Sequence, residues 1–171
     1  MQKDEIQKAL DRFRDHVIKQ ARSNLTRMGK NSSKKLYNSI KGDVKAMPNS
    51  ISMEFSMEEY GFYQDQGVSG IKKKYDTPFS YKSKMPPSRK FDKWMVRKGI
   101  APRNEKGQFA TRKGLSYVIA RSIYVNGIKP SLFFTKPFEA AYKKLPNELI
   151  DKFGIEAAKL FMDTITQPKN K

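Results

Sequence analysis

Cysteine is absent from the 171 residues and histidine occurs once, at position 16. The first absence excludes disulfides and thiolate zinc sites and fits a reducing cytoplasm. The second removes the base that most nucleophilic triads require, and His16 falls in the body of a helical pattern with no second histidine to share a metal. No stretch approaches the ~20 apolar residues that span a bilayer. The N-terminal MQKDEIQKAL is charged and helical where a signal peptide would carry a basic flank and then an apolar run. The reading is of a protein neither exported by a signal peptide nor inserted in a membrane. A phosphate-cradling loop is missing too, because the GVSG at 67–70 has no following Lys-Ser/Thr and no dinucleotide-fold spacing. Glu58 and Glu59 are adjacent at a strand end, so they point to opposite sides and cannot share a substrate. A toxin-like or nuclease reading lacks its carboxylate and histidine cluster. The expectation is a non-enzymatic protein with no cofactor and no metal.

What remains is polar but not disordered. Hydrophobic residues make up 37% of the chain, charged residues 30%, and mean hydropathy is −0.75, yet aromatics reach 12%, which is rich for a chain unable to build a core. The length suits one domain over 1–171. Lysine and arginine number 35 against 17 acidic residues, for a net +18. The excess is uneven: +7 over 1–50, −4 over 51–70, +11 over 71–115 and +4 over 116–171. That asymmetry points to a polyanionic partner, either nucleic-acid phosphate or an acidic protein surface. The bland reading is a solvated face that keeps the protein soluble.

Along the chain, Ile6, Ala9, Leu10, Phe13, Val17, Ala21, Leu25 and Met28 recur at three-and-four spacing and predict one long amphipathic helix from Asp4 to Met28, stopped by Gly29. The segment from Leu36 to Lys45 reads as a first strand, and Met47, Pro48 and Asn49 as a turn. Ile51, Met53, Phe55 and Met57 then alternate with polar residues, which makes the pair an antiparallel hairpin with one face buried under the helix. Tyr60, Phe62 and Tyr63 run into Gly67 and Gly70, and a long tract to Pro87 reads as a flexible arm over 68–87. PPSRKFDKWMVRKG predicts a short helix with Phe91, Trp94 and Met95 inward and Gly99 at its end. Residues 100–113 read as a second loop. Leu115 to Val125 predicts a helix with Leu115, Val118, Ile119 and Ser122 or Ile123 inward, ended by Gly127. Leu132, Phe133 and Phe134 read as an extended apolar lead into a C-terminal helix from Phe138 to about Ile165, with Pro137 at its start and a frayed tail at 166–171. The expected fold class is α+β: a long N-terminal helix packed on a small antiparallel sheet, with central and C-terminal helices and long extended arms.

The basic stretch with interleaved aromatics, KKKYDTPFSYKSK through RKFDKWMVRK, is the strongest signal for a polyanion. Its expected contact residues are Lys72, Lys73, Lys74, Lys82, Lys84, Arg89, Lys90, Arg97 and Lys98. Phe91 and Trp94 fall at core spacing, so packing accounts for them and the cations carry the signal alone.

Read in order, LYNSI, the hairpin, YGFYQDQGVSG, MPPSRKFDKWMVRKGI and YVIARSIYVNGIKPSLFFTKPFEAAY resemble the neck or tail-completion (head–tail joining) family of long-tailed bacteriophages over most of residues 36–145. The resemblance rests on a tyrosine turn at Tyr60, Tyr63 and Gly67, and on Gly127, Pro130, Phe133, Phe134, Pro137 and Phe138. It implies a virion structural subunit: a homo-oligomeric ring between the head connector or head-completion protein and the tail terminator or tube protein, assembled in the host cytoplasm, around a channel for DNA. Phe133, Phe134, Pro137, Phe138, Tyr60 and Tyr63 are then expected, as exposed aromatic anchors and their neighbours, at the subunit interface. The competing reading is a small basic nucleic-acid-binding protein working through 71–115.

Overall fold

The computed structural model describes residues 2–46 and 51–145. Helix α1 (Gln2–Arg27) opens the chain. It buries Leu10, Phe13, Val17, Ala21 and Leu25 along one stripe, the spacing of a 3.6-residue turn. Each large side chain so buried contributes roughly 1.5–3 kcal/mol relative to exposure. The helix stops in a six-to-one closure. The Lys30 amide donates to the Leu25 carbonyl at 2.9 Å and the Gly29 amide to that of Thr26 at 3.0 Å, with Gly29 at φ 62°, which satisfies carbonyls the helix end would otherwise leave open.

The expected strand from Leu36 splits in two. Lys35–Ser39 is a short helix, α2, and the strand β1 runs only over Lys41–Ala46. Leu36 and Ile40 are both buried while Asn38 between them is exposed, which breaks the two-residue period of a strand and fits the four-residue recurrence of a helix. Arg22 of α1 clamps the end of α2 by donating from Nε to the Tyr37 carbonyl and from Nη2 to the Ile40 carbonyl, each at 3.0 Å. Strand β2 (Ile51–Ser56) pairs antiparallel with β1, from Lys41 opposite Ser56 to Ala46 opposite Ile51. Its alternation is as read. Met53 and Phe55 pack on the core while Ser52, Glu54 and Ser56 are exposed. The turn expected at Met47–Asn49 lies outside the described residues.

The tyrosine segment is helix α3 (Tyr60–Gln66), not a turn. Gly61 sits against Leu36 and Met57, where any Cβ would collide. The described residues divide into two compact units: those up to Phe62 together with 132–145, and residues 63–131. In the first unit the core centres on aromatic rings packed edge to face. Phe55 meets Phe13 at 6.3 Å, Phe134 at 5.3 Å and Phe138 at 5.9 Å between centroids, an arrangement favoured by the ring quadrupoles. The lead at Leu132–Phe134 is a tight turn instead of an extended run, with Leu132 at φ 51°, and helix α6 (Thr135–Tyr142) carries Pro137 in its first turn, where the missing amide costs nothing. The expected continuation beyond Leu145, including the tail, lies outside the described residues.

The second unit holds α4 (Lys90–Arg97) and α5 (Arg112–Asn126). Its buried side chains include Val68, Met95, Ser116 and Ala120. Helix α4 ends as α1 does, the Ile100 amide reaching the Met95 carbonyl at 2.9 Å and the Gly99 amide that of Val96 at 3.0 Å. On α5, Leu115, Ile119 and Ile123 turn inward as expected, but Val118 and Ser122 are exposed. The buried stripe passes instead through the small side chains of Ser116 and Ala120, of which only the alanine is apolar.

Candidate functional site

The tract from 67 to 89 has no helix or strand of its own, yet its first half is folded tightly back. Ser69 is the knot. Its amide donates to the Phe79 carbonyl at 2.8 Å and its carbonyl accepts from Tyr81 at 2.9 Å, while its hydroxyl donates to the Tyr75 carbonyl at 3.2 Å and accepts from the Tyr75 amide at 3.0 Å. Val68 and Ile128 exchange two backbone bonds, at 2.9 and 2.8 Å. The close approach excludes side chains: a Cβ on Gly70 would overlap the Val125 carbonyl and the Gly127 amide, and one on Gly127 would overlap the Val68 carbonyl. Only glycine fits here, so the GVSG is a packing device. The Ser131 hydroxyl donates to the Gln64 carbonyl at 2.6 Å, which brings the two ends of this unit together.

This knot fixes the base from which the cations project. Lys72, Lys73, Lys74, Lys82, Lys84, Arg89, Lys90, Arg97 and Lys98 are all exposed and all belong to the unit of residues 63–131. That unit carries 16 basic residues and four acidic ones, Asp65, Asp76, Asp92 and Glu105. Four carboxylates cannot neutralise such an excess, whatever their geometry. Asp92 pairs with Arg112 at 3.2 Å, Lys74 Nζ donates to the Gly70 carbonyl at 2.9 Å, and Asp65 is buried.

The aromatics of the tract are largely engaged within the unit of residues 63–131. Tyr63 and Phe79 stack edge to face at 4.6 Å, Tyr81 and Tyr124 at 6.2 Å, and Lys73 lies over the Tyr75 ring at 5.6 Å. Burial pushes the Tyr81 phenol above its ordinary value.

Residues 100–113, expected as a loop, contain an ordered hairpin. Arg103 and Phe109 face each other across it. The Asn104 amide donates to the Gln108 carbonyl and the Ala110 amide to the Pro102 carbonyl, both at 2.9 Å. The Asn104 side chain accepts from the Gln108 amide at 2.9 Å and the Lys106 amide at 3.1 Å, a turn-building role typical of asparagine. Gly107 supplies φ 75°. Arg103 lies 4.2 Å above the Phe109 ring, and Phe109 is nevertheless 73% exposed.

Comparison with family models, curated proteins and solved structures finds no match. The reading of the site therefore rests on its own chemistry.

The six residues expected at a subunit interface separate in that light. Phe133, Phe134, Pro137 and Phe138 are buried in the core of the first unit, which corrects the expectation that they are exposed anchors; apolar patterning marks core and interface alike. Tyr60 is exposed and Tyr63 half-buried. Other exposed apolar side chains are Phe109 (73%) on the hairpin, Tyr117 (51%) and Val118 (59%) at successive positions of α5, Val96 on α4, Ile71 and Met28. The sequence signal that could have found the pair on α5 was the placement of Ser116 and Ala120 on the inward stripe. Among the described residues no three His, Asp or Glu side chains gather to hold a metal, and His16 is exposed on α1. An open groove of about 660 Å3 along α1, lined by residues including Asp15, Lys19, Arg22 and Tyr37, has its Arg22 already committed to α2.

Proposed function

We propose that the chain is a structural subunit of a bacteriophage neck ring, joining the head connector to the tail and acting by assembly without bond chemistry. The order of sequence landmarks suggests this reading, and the observation that carries it is the apolar outer face of α5. Tyr117 and Val118 follow one another in solvent on α5, and a tyrosine left exposed among apolar side chains is the residue type that anchors a protein interface when a partner covers it.

Negative-stain microscopy and native mass measurement of the purified protein, alone and mixed with phage heads or tails, test it. The expected result is a closed ring, or particle-bound protein, that Tyr117→Glu with Val118→Asp abolishes while the melting temperature stays within a few degrees, because neither side chain is buried. A wild-type protein that stays monomeric and ignores both particle fractions would overturn the proposal.

A further inference from the structure

The basic unit holds its cations in an unusual balance with its aromatics. Single-stranded nucleic acid is gripped by aromatic faces that stack on bases, with cations tracking the backbone. Here Tyr63, Tyr75, Phe79, Tyr81 and Tyr124 are paired with one another or covered by a lysine, so few faces are open for a base. The lysines and arginines are exposed on successive segments: the loop at 72–74, the stretch at 82–90, α4 and the hairpin at 103–109. Charge spread over many elements, with the rings of the 63–81 segment engaged and one face of the exposed Phe109 held under Arg103, suits a rigid polyanion met through its backbone.

The hairpin adds a second and independent observation. It is fully exposed from Arg103 to Ala110, yet it is stiffened by backbone bonds, by the Asn104 side chain, and by Arg103, which donates from Nη1 to the Gly107 carbonyl at 2.8 Å. That bond and the Phe109 ring hold the Arg103 guanidinium in place, so little ordering entropy remains to be lost when a partner arrives.

We infer that the unit of residues 63–131 carries a sequence-independent binding surface for duplex DNA, in which the cations of 72–98 are extended by a preformed basic hairpin at 103–109. The contacts are to phosphate, and Lys72, Lys84, Lys93 and Lys106 are among those that make them. This surface does not include the outer face of α5, and it stands whether or not the ring reading does.

Fluorescence anisotropy of the full chain with labelled duplexes of about 30 base pairs and two unrelated sequences tests it. Both duplexes should bind with equal affinity. With about six phosphate contacts, that affinity should fall roughly 1,000-fold between about 50 and 200 mM salt. Lys72→Gln, Lys84→Gln and Lys93→Gln together should lower the log–log salt slope by about 3, at roughly 0.9 per lost contact, and Lys106→Gln by about 1. Replacing Lys8, Lys19 and Lys41 of the other unit by glutamine removes the same charge and should leave the slope unchanged. Circular dichroism checks that all variants fold. An equal loss in both triple variants, tighter binding of single strands than of duplex, competition by polyglutamate as strong as by duplex, or no duplex binding at low salt would each overturn the inference.

Discussion

Phe133 is completely buried, and its carbonyl accepts a hydrogen bond from the Asn24 side chain at 3.1 Å, a contact across 109 residues of sequence. Phe133→Ala should therefore cost roughly 3–5 kcal/mol, the sum of lost transfer energy and a cavity that rigid neighbours cannot fill. Tyr117→Ala, at an exposed site, should change stability by about 0.5 kcal/mol or less. Urea unfolding of the two variants decides whether core and surface are assigned correctly, and comparable losses would refute the assignment. Lys30 offers a titration test. Burial holds its ammonium below the ordinary lysine value, so the unfolded chain binds that proton more tightly than the folded one. The cost of charge is fully present at neutral pH and fades as pH rises through the folded value towards the unfolded value of about 10.4. Lys30→Met should raise the melting temperature at pH 7, and the gain should shrink as pH approaches the unfolded value of about 10.4. Tyr81 works in the opposite sense, its stabilising effect being lost as pH climbs past the ordinary phenol value of about 10, so the comparison must be made between wild type and variant at each pH. A pH-independent difference would remove the burial argument.

At the scale of single elements, legibility followed length. Helix α1 repeats its apolar period over many turns and β2 its alternation over three, and both were readable in the sequence. Helix α2 spans five residues, too few for any period to declare itself, and its buried Leu36, with the buried Ile40 just past its end, reads as part of the strand that follows. Helix α3 carried a usable signal, since Tyr60, Tyr63 and Gly67 lie three and four residues apart, the spacing of a helix closed by glycine. The cations of the basic unit were readable as exposed because charge alone keeps a lysine in water, whereas Phe133 and Phe138 were not assignable because core and interface use the same side chains. Asn104 and Gly107 were likewise turn chemistry in plain view. Their hairpin makes a prediction of its own: the amides of Asn104, Gly107 and Ala110 donate within it and should exchange with solvent more slowly than other exposed loop amides. Gly107→Val forces a branched side chain to φ 75°, at a cost of about 1–2 kcal/mol or more, and should erase that protection while leaving the core amides of α5 unchanged. Thr111 caps α5 by accepting from the Gly114 amide at 3.3 Å. Thr111→Ala should lower stability by about 1 kcal/mol, read by thermal unfolding.

Across the whole molecule the charge is partitioned along with the fold. The unit of residues 63–131 carries +12 of the total +18, and the remaining residues, with 19 basic against 13 acidic, carry +6. A chain that leaves one compact unit after Phe62 and returns at Leu132 gathers its cations on the inserted part, where the Ser131–Gln64 closure holds the ends. Such a concentration of like charge works against compaction, because cations that find no carboxylate repel one another over about 10 Å at moderate salt. Screening should relieve that repulsion. Raising sodium chloride from about 20 to 300 mM, across which the screening length contracts to well under 10 Å, is expected to raise the melting temperature. The rise should be smaller in the Lys72, Lys84 and Lys93 glutamine variant, which starts with less repulsion. A melting temperature that falls with salt would mean that attractive ion pairs dominate the fold, and it would contradict an excess of surface cations kept, at some expense of stability, for a partner that neutralises it.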